Sequence, residues 1–389
     1  MKEKKLDINS VIGFILIFGI LIWIMYQHQP SEKEIAAEKA KKELVIKEKT
    51  AKKAVADQPI ATVKDSTVSD SAQISKLKST LGNFAYSATL PSAKESYTTL
   101  ENDLVSLKIA NKGGYIAEAK LKSFERFKKG SGQLVELIKD NNSDLNISLQ
   151  TTDNRTLNTK ELFFEPTLTK VGTNQILTMR LKAGANEFLE YQYVLKPSEY
   201  MIDFNVRSQG LSKVLNTSKP LEMEWALKAY RNEKGVAYEN RYAEIDFLYK
   251  DGKNDYVGQG DSKEENPEKV NYIAFKQHFF TSILLTNTPF EKARLHSANL
   301  IKNEEVDTIF TKQFKATIPL AFNNGEVDYK MNWFFGPTDY KTLKAYDKHL
   351  EKIIPLGWGI FGWINKFIFI PLFGFLSSFI SYGIAIIVF

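Results

Sequence analysis

The sequence predicts a membrane protein with a mainly-β exported domain, in which a β-sandwich is flanked by apolar segments at the two ends of the chain. Three observations predict this class. The 389 residues are 43% hydrophobic, but the longest apolar runs lie at the ends. Between the ends, apolar residues recur with a period of two, which is typical of half-buried strands. The middle has hardly any helical period, so we expect antiparallel sheets packed face to face.

The N-terminal segment predicts an uncleaved transmembrane anchor over residues 1–30. Residues 11–26 (VIGFILIFGILIWIMY) and the neighbours before them approach the roughly 20 residues that cross a bilayer. No small-residue cleavage site follows, and the lysines that precede the run place the N-terminus in the cytoplasm. Trp23 and Tyr26 end the run as predicted membrane-interface anchors.

The composition of residues 31–96 predicts a charged, flexible tether. The first half is rich in Lys, Glu and Ala and can form a solvated helix. The second half is too polar to build a core.

Residues 97–337 predict one large β-sandwich. In residues 201–207 (MIDFNVR), Ile202, Phe204 and Val206 share one face of a strand, and the polar residues between them share the other. The same alternation recurs in residues 177–181, 223–227 and 327–333. Turn signals stand between such runs at residues 111–114, 250–253 and 323–325. The last of these predicts a hairpin that joins residues 318–322 to residues 327–335.

Composition argues against several functional classes. The net charge of +6 is small and spread along the chain, which predicts no nucleic-acid partner. The chain has no cysteine, so disulfides and cysteine metal sites are excluded. The usual catalytic motifs are absent, and we expect no enzyme activity, no cofactor and no metal.

Two groups in the middle could still suggest chemistry. His278 stands beside Phe279 and Phe280, where a packed, hydrogen-bonded histidine is expected more often than a base or ligand. Glu222 and Glu224 could flank a sugar, although two acids one residue apart on a strand more often form a solvated face. A membrane-anchored carbohydrate-binding or docking protein therefore remains an alternative.

The C-terminal region predicts interfacial helices over residues 338–366 and a second transmembrane helix over residues 367–389. In residues 340–354 (YKTLKAYDKHLEKII), an apolar stripe predicts a helix lying on a membrane surface. The alternative is that this stripe packs on the sandwich. Trp358 and Trp363 follow a Pro-Gly break and are predicted membrane-interface anchors.

Four stretches together resemble the YidC/Oxa/Alb3 family of membrane protein insertases, of the Gram-negative type with a large periplasmic domain. They are residues 8–26 (INSVIGFILIFGILIWIMY), 277–280 (QHFF), 332–337 (NWFFGP) and 356–381 (LGWGIFGWINKFIFIPLFGFLSSFIS). The resemblance extends over the whole chain and is sharpest at its two ends.

The resemblance implies a fold, a function and partners. The expected fold of the exported domain is a β-supersandwich similar to galactose mutarotase, without that enzyme's activity. The expected function is to assist insertion and folding of integral membrane proteins into the bacterial inner membrane, alone or with the Sec translocon and its accessory subunits. Nascent membrane proteins and the phospholipid bilayer are the other expected partners, and no cofactor is implied.

The resemblance also implies a substrate groove with a basic residue beyond Phe389. That residue and the later helices of the family are absent from this sequence. We therefore expect the chain to be a truncated or partial form that lacks the polar groove.

Overall fold

The computed structural model describes residues 70–379, except 129, 251, 259–261 and 308. Contacts between Cα atoms divide the chain into Met1–Val68 and Ser69–Phe389. Every described residue belongs to the second unit. The predicted anchor, with Trp23 and Tyr26, and most of the predicted tether lie outside the described residues.

The described residues form nineteen strands. In chain order they are β1 (Tyr97–Glu101), β2 (Val105–Ala110), β3 (Ile116–Glu125), β4 (Leu134–Ile138), β5 (Ser143–Gln150), β6 (Thr156–Asn158), β7 (Glu165–Val171), β8 (Asn174–Lys182), β9 (Phe188–Leu195), β10 (Met201–Gln209), β11 (Leu221–Tyr230), β12 (Ala243–Tyr249), β13 (Lys253–Val257), β14 (Ser262–Glu265), β15 (Glu268–Gln277), β16 (Phe280–Lys292), β17 (Arg294–Asn299), β18 (Phe310–Leu320) and β19 (Asp328–Pro337).

Short helices flank and interrupt these strands. The α-helices are α1 (Asp70–Leu81), α2 (Ala85–Ala88), α3 (Val236–Tyr242), α4 (Tyr340–Ala345), α5 (Ile360–Ile364) and α6 (Ile370–Phe379). A π-helical segment, Asn365–Phe369, joins α5 to α6.

The strands form three antiparallel sheets. The largest has nine strands in the order β13-β12-β15-β16-β19-β10-β9-β8-β7. The second has six strands in the order β14-β17-β18-β11-β5-β6, and the third has four in the order β1-β2-β3-β4. Apolar residues of all three sheets share one buried cluster. The prediction of a mainly-β sandwich is therefore confirmed.

Aromatic rings join the two larger sheets at the centre of the core. Trp225 on β11 stacks on Phe275 of β15, with ring centroids 3.7 Å apart. The same indole meets Trp333 of β19 edge to face at 4.8 Å. Stacked and edge-to-face pairs each add stability beyond the area they bury. The space left beside Trp225 and Trp333 is a cavity of only about 10 Å³.

The period-two prediction holds strand by strand. Ile202, Phe204 and Val206 are fully buried, and the polar residues between them are half-buried on the opposite face. Two of the three turn signals also hold. Residues 111–114 connect the paired strands β2 and β3, and residues 250–253 connect β12 and β13.

The predicted hairpin around residues 323–325 is wrong. The turn itself exists, because Asn324 and Gly325 have φ of 51° and 81° and Asn323 bridges Glu326. However, β18 before the turn belongs to the six-stranded sheet, and β19 after it belongs to the nine-stranded sheet. The turn therefore carries the chain from one sheet to the other, and each strand finds its partners elsewhere.

The predicted tether extends too far toward the sandwich. Helices α1 and α2 lie within residues 70–88, and Phe84 between them is buried in the shared core. The Ser87 hydroxyl donates a hydrogen bond of 2.6 Å to the carbonyl oxygen of Phe163. A few apolar side chains in a polar sequence are enough to dock this segment, which composition alone does not reveal.

Within the described range of residues 70–379, no helix combines the length and the apolar character needed to cross a membrane. The predicted first span lies outside that range. The structure describes the predicted second span, residues 367–389, only as far as Phe379.

Candidate functional site: the C-terminal strap and apolar segment

The chain leaves the last strand and crosses the outer face of the nine-stranded sheet. We call residues 338–354 the strap and residues 358–379 the apolar segment. The Thr338 amide donates to the Phe279 carbonyl, where β19 ends beside the start of β16. The Asp339 carboxylate then caps α4 by accepting from the amide of Thr342 at 2.8 Å, which satisfies one of the free donors at the start of that helix.

The predicted continuous helix over residues 340–354 is wrong. Helix α4 ends at Ala345, and a short 3₁₀ helix, Leu350–Ile353, follows. Between them Asp347 and His349 have φ of 50° and 59°, in the left-handed region that an α-helix cannot contain. The break allows the stripe to follow the twisted sheet, which a straight helix would leave after a few turns.

The apolar stripe of the strap packs on the sandwich, as the alternative interpretation held. Leu343, Leu350 and Ile353 are fully buried. Their partners on the outer face of the sheet are Met201, Leu248, Tyr272, Ala274, Ile283, Leu285 and Phe334. The stripe that was predicted to contact a membrane surface is therefore buried against the outer face of the sheet.

Polar contacts fix the strap along its length. The hydroxyl of Tyr346 accepts a hydrogen bond of 3.0 Å from the backbone amide of Tyr200. Farther on, the ammonium of Lys352 donates to the carbonyl oxygen of Gly252 at 2.7 Å. These contacts bond the strap to loops of the sheet as well as to its face.

The strap ends on a buried cluster of charges on the outer face. The ammonium of Lys276 on β15 pairs with the carboxylate of Glu244. It also lies 3.1 Å from the carboxylate of Asp246 and donates to the carbonyl oxygen of Ile353 at 3.1 Å. The Lys276 side chain is only 4% exposed. We call Lys276, Glu244 and Asp246 the charge triad.

Burial sets the pKa values in the charge triad. For Asp246, burial is the largest influence and raises its pKa to about 7, against the opposing effect of the Lys276 ammonium. Burial lowers the pKa of Lys276, but the two carboxylates outweigh it and hold the pKa above its ordinary value. The ammonium is therefore charged at neutral pH.

The apolar segment presents its large side chains to solvent. Trp358 is 83% exposed and Trp363 is 56% exposed. The other exposed large apolar side chains of the segment are Ile360, Phe361, Phe367, Ile368, Phe369, Leu372 and Phe375. A contiguous apolar surface of this kind marks a site of contact with another protein or a membrane.

Glycines separate the strap from the apolar segment. Gly357 and Gly359 have φ of 91° and 57°, which side chains with a Cβ rarely adopt. The π-helical segment ends two residues before Pro371, whose nitrogen has no hydrogen to donate to the backbone of the helix. The apolar segment therefore begins at a turn.

The other candidates from the sequence have partners of their own. His278 has its Nδ1 2.6 Å from the Glu233 carboxylate and stacks on Tyr242, so it is packed and hydrogen-bonded. Glu224 pairs with Lys315 at 2.7 Å on an outward face. The cavity of about 10 Å³ between the sheets holds about one water molecule, so a sugar does not fit there.

Comparison with known proteins assigns the chain to a family. The family described as "YidC periplasmic domain" matches residues 97–371, which cover the sandwich, the strap and the first part of the apolar segment. The chain belongs to the YidC family. A relative named "Membrane protein insertase YidC" from Parabacteroides distasonis is 31% identical over 399 aligned positions, covering 98% of this chain and 61% of the relative.

The same family name recurs among other relatives and solved structures. Membrane protein insertase YidC of Bacteroides fragilis is 31% identical and covers 98% of this chain and 60% of its own length. The periplasmic domain of Thermotoga maritima YidC is similar at a TM-score of 0.35 and 12% identity, covering 68% of this chain and 98% of that domain. The chain thus spans about three fifths of the length of these curated YidC relatives.

Sequence reasoning missed the charge triad. Lys276 stands at the polar end of a strand, next to Gln277 and His278, and looks like a solvated residue. A signal was nevertheless present, because Glu244 and Asp246 occupy the outer face of the otherwise apolar strand AEIDFLY. Two acidic side chains on an otherwise apolar, buried strand are stable only when a cation is paired with them.

Proposed function

We propose that the chain is part of a membrane protein insertase that assists insertion and folding of integral membrane proteins in the bacterial inner membrane. The alignment of 98% of the chain with a protein named for that activity supports the proposal. In this role the chain binds and guides polypeptides and breaks no covalent bond. A carbohydrate-binding role has no comparable support.

In this proposal the chain crosses the membrane at both ends. Residues 1–30 form the first anchor, residues 31–69 the tether, and residues 97–337 the periplasmic sandwich. Residues 367–389 form the second span. Trp23 and Tyr26 anchor the first span at the membrane interface, and Trp358 and Trp363 anchor the second. The exposure of both C-terminal indoles supports this, because an amphipathic indole ring is most stable where headgroups meet hydrocarbon.

The strap gives the proposal a structural basis. It attaches the last residues before the apolar segment to the sandwich through buried apolar side chains and the Lys276–Ile353 hydrogen bond. The chain therefore leaves the sandwich at a fixed position shortly before the proposed second span. The proposed partners are nascent membrane proteins, phospholipids and, beside them, the Sec translocon with its accessory subunits.

Site-specific photocrosslinking tests the proposal. A benzoylphenylalanine in place of Trp358 or Phe373 is expected to form adducts with a nascent inner-membrane protein during its insertion. The matched control places the same probe at Tyr256, an exposed residue of β13. Adducts no more frequent at the two segment positions than at Tyr256 would remove the proposal.

A further inference from the structure

One edge of the nine-stranded sheet has no covering element in the described part of the chain. β7 is the terminal strand on that side and pairs only with β8. Residues 167–171 are exposed on both faces of the strand, including Leu168 at 46% and Val171 at 63%. An edge strand with free backbone groups is a template for pairing with another strand.

The register shows which backbone groups are free. β7 and β8 are joined by the two-residue turn Gly172-Thr173, with Val171 opposite Asn174. A two-residue hairpin turn closes on a hydrogen-bonded pair, and such pairs alternate along the ladder. Val171, Thr169 and Thr167 therefore bond to β8. Leu168 and Lys170 direct their amides outward, and Pro166, which has no amide hydrogen, occupies the third outward position.

We infer that β7 pairs with β7 of a second copy of this chain, antiparallel and with Leu168 opposite Leu168. This inference goes beyond the proposed function and does not depend on it. The two sheets then join into one that continues across the two-fold axis.

The side chains of β7 fit this register. Leu168 meets its own copy, and each Thr167 meets a Thr169, a pair that hydrogen-bonds across strands. Lys170 lies opposite Pro166 and four residues away from the other Lys170, or about 14 Å at the rise of a strand. Centring the pair on Lys170 instead would place two ammonium groups opposite each other.

The backbone supplies four hydrogen bonds in this arrangement. The two Leu168 residues exchange two bonds, and each Lys170 amide donates to the carbonyl oxygen of the opposite Pro166. Lys and Pro on an edge strand usually discourage pairing. In this register Lys170 of one copy lies opposite Pro166 of the other at each end of the interface, so neither residue disturbs the central Leu168 pair. One strand pair buries well below the roughly 1,000 Å² of a stable interface, so we expect a weak, reversible dimer.

Cysteine crosslinking tests the inference, because the native chain contains no cysteine. The full chain carrying Leu168→Cys, reconstituted in lipid vesicles, is oxidised with copper phenanthroline and run on a non-reducing gel. The hydrogen-bonded pair places the two Cα atoms about 5.5 Å apart, within disulfide range. We expect several times more covalent dimer from Leu168→Cys than from Val171→Cys, although Val171 is the more exposed residue.

Two further variants define the register and the interface. Thr169→Cys should crosslink poorly, since the two copies of Thr169 lie diagonally and beyond the roughly 7 Å limit between Cα atoms. Adding Lys170→Pro to Leu168→Cys removes two outward hydrogen bonds while leaving the ladder with β8 intact, and should abolish the dimer. Equal dimer from all three cysteine positions, more dimer from Thr169→Cys, or no effect of Lys170→Pro would overturn the inference.

Discussion

At the scale of single residues, Lys276 connects the sandwich to the strap. Its ammonium pairs with two buried carboxylates and donates to the Ile353 carbonyl of the strap. Removing one partner of a buried ion pair leaves an uncompensated charge, which is far more destabilising than losing a surface pair.

The variant Lys276→Met tests this role. We expect the free energy of unfolding to fall by about 3–5 kcal/mol, because Glu244 and Asp246 lose their only close cation in the described structure. Urea unfolding followed by tryptophan fluorescence measures the loss. Lys315→Met, which breaks the half-exposed pair with Glu224, is the control and should lose less than about 1 kcal/mol. Equal losses would show that the charge triad has no special role.

A second residue predicts a dependence of stability on pH. Glu239 on α3 accepts hydrogen bonds from the backbone amides of Asn232 and Glu233. Burial is the largest influence on Glu239 and raises its pKa from 4.5 to about 7. The folded state therefore holds the proton more tightly than the unfolded state, and this stabilisation is fully present below pH 4.5.

Stability should consequently fall as the pH rises through 7. The contribution of Glu239 amounts to about 3 kcal/mol between the two pKa values. Glu239→Gln keeps an oxygen acceptor for both amides but does not titrate, so its unfolding free energy should change less between pH 5 and pH 8. Identical pH profiles for the variant and the native chain would contradict the prediction.

At the scale of secondary-structure elements, the strap is the feature that ties the sandwich to the C-terminal region. Its stripe was visible in the sequence, but periodicity alone cannot say whether a stripe meets lipid or protein. The deciding feature is the outer face of β15, β16 and β19, to which these strands contribute the apolar residues Tyr272, Ile283 and Phe334. Each of these residues is unremarkable in its own strand, and only the assembled sheet brings them together.

Leu343→Ala tests the docking of the strap. Leu343 is fully buried, and truncating such a leucine typically removes about 2–5 kcal/mol. We expect amide hydrogens within residues 340–353 to exchange much faster in this variant, measured by mass spectrometry. Ile360→Ala, at a residue that is 68% exposed, should leave exchange in the strap unchanged. Unchanged exchange in Leu343→Ala would show that the strap does not depend on its stripe.

At the scale of the whole molecule, the fold class followed from the sequence but the sheet assignment did not. Alternation identifies strands and their buried faces, as in residues 201–207. A turn signal such as Asn323-Asn324-Gly325 shows where the chain reverses, but the choice of sheet depends on packing among strands far apart in sequence. The turn therefore connects two sheets, and local residues carry no information about it.

The apolar character of the segment is visible in the sequence, and its predicted membrane role stays a prediction. Nine large apolar side chains between Trp358 and Phe375 are exposed, and their density can be read from the sequence alone. The charge triad could not be located in advance, because Lys276 and Glu244 are 32 residues apart and meet only through the pairing of β12 with β15.

We propose that the strap presents the apolar segment to a lipid bilayer with Trp358 and Trp363 at the interface. The most direct test labels Trp358→Cys or Trp363→Cys with the fluorophore NBD in the full chain and reconstitutes it in vesicles that contain a nitroxide lipid. We predict that both positions are quenched several-fold more strongly than the same label at Tyr256→Cys on β13. Quenching at the two tryptophan positions that equals quenching at Tyr256 would contradict the claim.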